Sequence, residues 1–110
     1  MSEFLKEIYK TLDDKQAQDI VVLDFRNHSP FLDYFVIADA RNERMAQAII
    51  DAVEDRAIEL QHEVLYVDKK IGSKWLLIDL EEIVVHIFYD GERYHYDLEG
   101  LWKDLGTIKM

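Results

Sequence analysis

The stretch Trp75-Leu76-Leu77-Ile78-Asp79-Leu80-Glu81-Glu82-Ile83-Val84-Val85-His86-Ile87-Phe88-Tyr89 holds two apolar runs parted by a pair of acids. Both runs are short and rich in β-branched and aromatic residues, so they read as strands, Trp75 to Leu80 and Ile83 to Tyr89. With so little chain between them the two must form a hairpin. Side chains alternate across a strand, so Leu76, Ile78 and Leu80 share a face. A connection of two or four residues sets Ile78 opposite Val85 and Leu76 opposite Ile87. That face is wholly aliphatic and belongs under helices. The other face carries Trp75, Leu77 and Asp79 opposite Phe88, His86 and Val84. A three-residue turn would mix the two faces, and Glu81-Glu82 is poor chemistry for a tight primed turn, so the register stays open at this point.

The second face mixes tryptophan, phenylalanine, histidine and aspartate. Aromatic residues among a few polar groups are characteristic of interaction surfaces, where tryptophan concentrates binding energy. The bland alternative is that a terminal helix covers this face and satisfies His86 and Asp79.

Working outward, Phe4, Leu5, Ile8, Tyr9 and Leu12 form one apolar stripe at helical spacing, which predicts a helix from Ser2 to about Gln18. Asp19 ends it, and Ile20 to Phe25 reads as a buried strand. Arg26-Asn27-His28-Ser29-Pro30 is a loop by composition, and Tyr34 to Ala38 is the second strand. Asn42 is placed to cap the next helix, with Glu43 in its first turn. Met45, Ile49, Ala52, Val53, Arg56 and Leu60 mark its inner face. Glu63 to Val67 is a short third strand, and strand, helix, strand in that order predicts a crossover onto a parallel neighbour. After the Asp90-Gly91 turn, Tyr96 to about Leu105 returns to helix, with Leu98, Leu101, Trp102 and Leu105 on one side. The expected fold is a single α/β domain over residues 1–110, in the order α-β-β-α-β-β-β-α, with a mixed five-stranded sheet and flanking helices.

Composition narrows the function. The 110 residues suit one compact domain, and no cysteine is present to form disulfides, thiolate metal sites or thiol nucleophiles. No apolar run approaches the roughly 18 residues that a membrane span requires. The acidic N-terminus resembles neither a signal peptide nor an arginine-rich transit peptide, so a cytoplasmic location is expected. The net charge is −10, and the 13 basic residues are scattered, with Lys69-Lys70 their only adjacent pair. Such a surface repels nucleic acid, whose affinity comes from lysine and arginine, and attracts a basic protein. It also keeps a chain dispersed, which is the commoner reason for acidity. Exposed aromatics would also suit a homodimer of the free protein.

Five blocks of this sequence resemble the RsfS/Iojap family of ribosomal silencing factors. They are Ala17-Gln18-Asp19-Ile20-Val21-Val22-Leu23-Asp24; Asp33-Tyr34-Phe35-Val36-Ile37-Ala38; Trp75 to Asp79; Ile83 to Phe88; and a closing motif of Arg93, Tyr96-Asp97-Leu98-Glu99 and Leu101-Trp102. All occur in order and at family spacing, over nearly the whole chain. Two departures lie in loops: Asp39-Ala40 replaces the usual Ser-Gly after the second strand, and Leu80-Glu81-Glu82 lacks the usual turn glycine. The resemblance implies a nucleotidyltransferase-like fold. It also implies binding to the large ribosomal subunit through ribosomal protein L-fourteen, which blocks subunit association and lowers translation when nutrients are scarce. On the match to the hairpin motif, Trp75 and Leu76 are the first candidates for the partner contact, then Asp79. Trp75 and Leu76 point oppositely if the two-faced hairpin holds. Tyr96, Asp97 and Glu99 follow, although capping or packing the last helix accounts for them equally well.

An enzyme reading has little support. Nucleotidyl transfer needs clustered carboxylates to hold a divalent metal against phosphates. Gly72-Ser73 and Asp79-Leu80-Glu81 imitate that pattern, but the five residues between Ser73 and Asp79 leave no room for a helix turn and a strand entry. His28, His62, His86 and His95 lack metal-ligand spacing. Ser2, Ser29 and Ser73 lack a nucleophile elbow. Neither catalysis nor a cofactor is expected, and an adaptor for some other protein is the remaining alternative.

Overall fold

Ser2 accepts the Leu5 N–H on its hydroxyl at 3.2 Å and starts α1 (Glu3–Asp14). Asn42 accepts the Met45 N–H at 2.9 Å and starts α2 (Glu43–Glu59). Each cap takes up an amide that a helix start leaves without an internal acceptor. The structure, a computed structural model, describes residues 2–96, 100, 103 and 105–110, Tyr96 by its backbone alone.

The strands are β1 (Gln18–Asp24), β2 (Tyr34–Asp39), β3 (Tyr66–Asp68), β4 (Trp75–Asp79), β5 (Ile83–Phe88) and β6 (Thr107–Ile108). A helical segment, α3 (Arg93–Tyr96 among the described residues), follows β5. The sheet order is β3-β4-β5-β2-β1-β6. β2 and β5 run parallel, and the other neighbouring pairs are antiparallel.

Where apolar alternation predicts five strands, the described residues form a sheet of six. β6 is two residues long, too short to show a period, and Gly106 at φ +88° turns the chain so that Ile108 meets Val22. The crossover also differs. β3 does run parallel to β2 but lies three places away, because the β4–β5 hairpin fills the gap and β5 takes the parallel pairing. Of the closing helix predicted from Tyr96 to Leu105, α3 supplies a turn that begins earlier, at Arg93. Asp97, Leu98, Glu99, Leu101 and Trp102 lie outside the described residues.

Both long helices cover one face of the sheet. Leu5, Ile8 and Leu12 of α1 pack with Ile49, Ile50 and Val53 of α2 over Val36, Leu76, Ile78, Val85 and Ile87, all without accessible surface. The buried face of α2 is turned from the expected one. Ala46 and Ala57 join it, while Ala52 is only partly covered and Leu60 is exposed. Small side chains let a helix approach a sheet closely, and a search for large apolar residues passes over them. Arg56 lies beside α1 as a cation, its guanidinium donating to Glu7 at 3.0 Å.

The hairpin adopts the two-faced register, with Ile78 opposite Val85 and Leu76 opposite Ile87. Leu80 donates to the Ile83 carbonyl at 2.8 Å, leaving Glu81-Glu82 as a two-residue turn. Glu81 stands at φ +75°, in the left-handed region that favours glycine. Its N–H donates to the Asp79 carboxylate at 2.9 Å, which steadies the turn without a glycine.

Candidate protein-binding face

The sheet face turned away from α1 and α2 is built in rows by the strand pairings. Trp75 of β4 stands beside Phe88 of β5, with Asp39 of β2 beyond. In the next row Leu77, His86, Ile37 and Val21 line up, and in the third Asp79, Val84, Phe35 and Leu23. The β1 side of this face is the better covered, where Leu23, Phe25, Ile37 and Phe88 form a small second core with Leu105 against it. On the β4 side Trp75, Leu77 and Asp79 are each half-buried. At the sheet edge Tyr66 of β3, opposite Asp79, is exposed.

Trp75 is held firmly. Its ring stacks on Phe88 with centroids 5.1 Å apart, and its indole N–H donates to His86 Nδ1 at 3.0 Å. An indole nitrogen only donates, so Nδ1 is unprotonated and the imidazole proton sits on Nε2. Nε2 is buried and has no hydrogen-bond partner among the described residues. Phe35 closes over the same imidazole at 4.5 Å. Burial lowers the His86 pKa to about 4, so the ring stays neutral at ordinary pH. Fixing a large aromatic side chain before binding reduces the entropy lost when a partner docks.

At the strand end near Trp75, a buried arginine ties the sheet together. Arg93 of α3 donates to the Asp39 carboxylate at 3.1 Å and to the Asp19 carbonyl at 2.8 Å. Asp19 sits at φ +51° in an irregularity of β1, which brings its carbonyl to the arginine. At the other end Asp79 commits one carboxylate oxygen to the Glu81 N–H, and neither acid makes an ion pair among the described residues. No three His, Cys, Asp or Glu side chains gather to hold a metal among the described residues. The arrangement is that of a preformed, acid-rimmed apolar surface.

The family model described as "Ribosomal silencing factor during starvation" matches residues 1–110. This chain belongs to the RsfS family. Ribosomal silencing factor RsfS of Bacillus subtilis is 38% identical over 100 residues, spanning 91% of this chain and 85% of its own. That of Halalkalibacterium halodurans is 34% identical over 108 residues, spanning 98% and 92%. A crystal structure from Bacillus halodurans superposes with a TM-score of 0.85 at 33% identity, covering 98% of both chains. These RsfS relatives are named as silencing factors, not as enzymes.

Of the residues singled out from the RsfS hairpin motif, Trp75 and Asp79 stand on this half-buried face. Leu76 has no accessible surface and points into the core beneath the helices. Trp75 and Leu76 thus face opposite ways, and the structure does not bring them to one surface. Asp97 and Glu99 of the closing motif lie outside the described residues, as does the side chain of Tyr96. Leu77 stands with Trp75 and Asp79, where the alternation through the hairpin sets it, although the motif match did not single it out as a contact. Phe35 was missed because its place depends on the parallel pairing of β2 with β5, which no local pattern announces. Among the described residues no helix is long and apolar enough to cross a membrane.

Proposed function

We propose that this chain silences ribosomes by binding the large subunit through ribosomal protein L-fourteen, as a stoichiometric block to subunit joining rather than by chemistry. The observation that carries the reading is the half-buried row Trp75, Leu77 and Asp79 on a chain of net charge −10. An apolar strip with an anchored tryptophan and an acidic end suits a basic protein surface. Trp75 is the anchor and Asp79 meets a lysine or arginine. Leu76 contributes from behind, by holding β4 against the helices. Tyr96, Asp97 and Glu99 complete the contact in this reading. It requires no cofactor and no direct nucleic-acid contact, and places the protein with cytoplasmic ribosomes. Without a ribosome the same strip is available to a second copy, which sedimentation velocity at several concentrations would detect.

The test is sucrose-gradient sedimentation of the purified protein with separated ribosomal subunits. Co-migration with the large subunit and loss of the joined-ribosome peak are expected. Trp75→Ala should weaken binding by roughly 30-fold, about 2 kcal/mol, with its circular dichroism unchanged. Wild-type protein that stays at the top of the gradient while subunits join normally would refute the reading.

A further inference from the structure

A groove of about 510 Å³ lies beside the hairpin turn, lined among others by Phe31, Leu32, Leu65, Val84, Asp79 and Glu81. Phe31 is 85% exposed and Leu65 50% exposed, so two large apolar side chains stand in water at its walls. Isolated exposed apolar residues need no explanation, but a pair lining one concavity does. The groove is also preformed. The loop bearing Phe31 is pinned to the hairpin turn, because Asp33 and Tyr34 both donate their N–H groups to the Glu82 carbonyl, at 2.8 and 3.0 Å. Ser29 accepts the Phe31 N–H at 3.2 Å and steadies the loop tip.

We infer that this groove is a second contact for the partner that Trp75 anchors, receiving an apolar side chain flanked by lysine or arginine. The inference rests on the ribosome-binding reading above. Charge supports it: Asp79 and Glu81 rim the groove and make no ion pair among the described residues, and its lining contains no lysine or arginine. A second copy of this chain is the poorer occupant, since it would bring another −10 of net charge to the same acids. Reach also supports it. Trp75 and Asp79 are four residues apart on one strand, about 13 Å at the usual rise. An ordinary protein interface buries about 800 Å² on each side, a disc of roughly 16 Å radius. A partner centred on Trp75 therefore extends to the groove.

Phe31→Ser and Glu81→Gln test the inference, because both side chains are exposed and neither substitution removes core packing. Each variant and the wild type would be titrated onto isolated large subunits at two salt concentrations, with melting temperatures measured alongside. Phe31→Ser should weaken binding by roughly tenfold and leave its salt dependence unchanged. Glu81→Gln should weaken it a few-fold and flatten the salt dependence. Wild-type binding with both variants indistinguishable from it overturns the groove and leaves the ribosome reading standing. No wild-type binding at all overturns both. A Phe31→Ser effect confined to self-association, with subunit binding intact, assigns the groove to a second copy and also overturns the inference.

Discussion

His86 shows how one residue's surroundings set its chemistry. Protonating it would place a charge in a buried, ring-lined site and turn an N–H toward the Trp75 indole N–H, donor against donor. Burial is the main cause of its lowered pKa, about 4 against an unfolded value of about 6.5. Between these values the unfolded chain binds more protons at this site than the folded one. The contribution is therefore complete above about pH 6.5 and declines as pH falls toward 4, by up to roughly 3 kcal/mol. Urea titrations across that range should show wild-type stability falling faster with acid than that of His86→Gln, which keeps an acceptor for the indole N–H. Parallel acid limbs in the two proteins would mean that His86 already titrates normally. Leu76 stands in contrast: its truncation to alanine should cost about 2–5 kcal/mol of folding stability, because it empties a core site. Loss of ribosome binding in that variant is therefore expected only where the variant is itself partly unfolded, which a melting curve under binding conditions would establish.

Among the elements, the β4–β5 turn carries a local cost. Glu81 occupies a left-handed conformation that penalises a Cβ by about 1–2 kcal/mol, and part of this is offset by the bond from its N–H to Asp79. Glu81→Gly should raise stability by about 0.5–1 kcal/mol, read as a higher melting temperature, since glycine also loses more entropy on folding. An unchanged or lower melting temperature would show that the Glu81 side chain has stabilising contacts of its own. The same substitution removes an acid from the groove rim, so a more stable protein should bind large subunits less well.

For the whole molecule the decisive quantity is the charge of −10. Encounter with a basic partner should be accelerated at low ionic strength, and raising salt from about 50 to 200 mM should slow association several-fold while changing dissociation less. Stopped-flow mixing with labelled large subunits measures both rates, and a salt-independent association rate would remove electrostatic steering from the account. The described fold suits this role, with two helices giving one sheet face its core and leaving the β4 side of the other face half-exposed.

Much of this was legible in the sequence, because the signals are local. The stripe Leu5, Ile8 and Leu12, the cap at Asn42, and the alternation through Leu76, Ile78, Val85 and Ile87 each lie within a few residues of chain, where helical and strand periods show directly. The five family blocks, read in order, pointed to the RsfS family that the whole-chain match shows. Tertiary structure alone decided the rest. It inserted the hairpin between β2 and β3, added β6 at the far edge, and set Phe35 over His86. It also brought Phe31 and Leu65 to one groove across more than thirty residues of chain. The physical reason is the same in each case. A period of two or 3.6 residues tells which side of an element is apolar, but which elements become neighbours depends on how all those sides are buried at once.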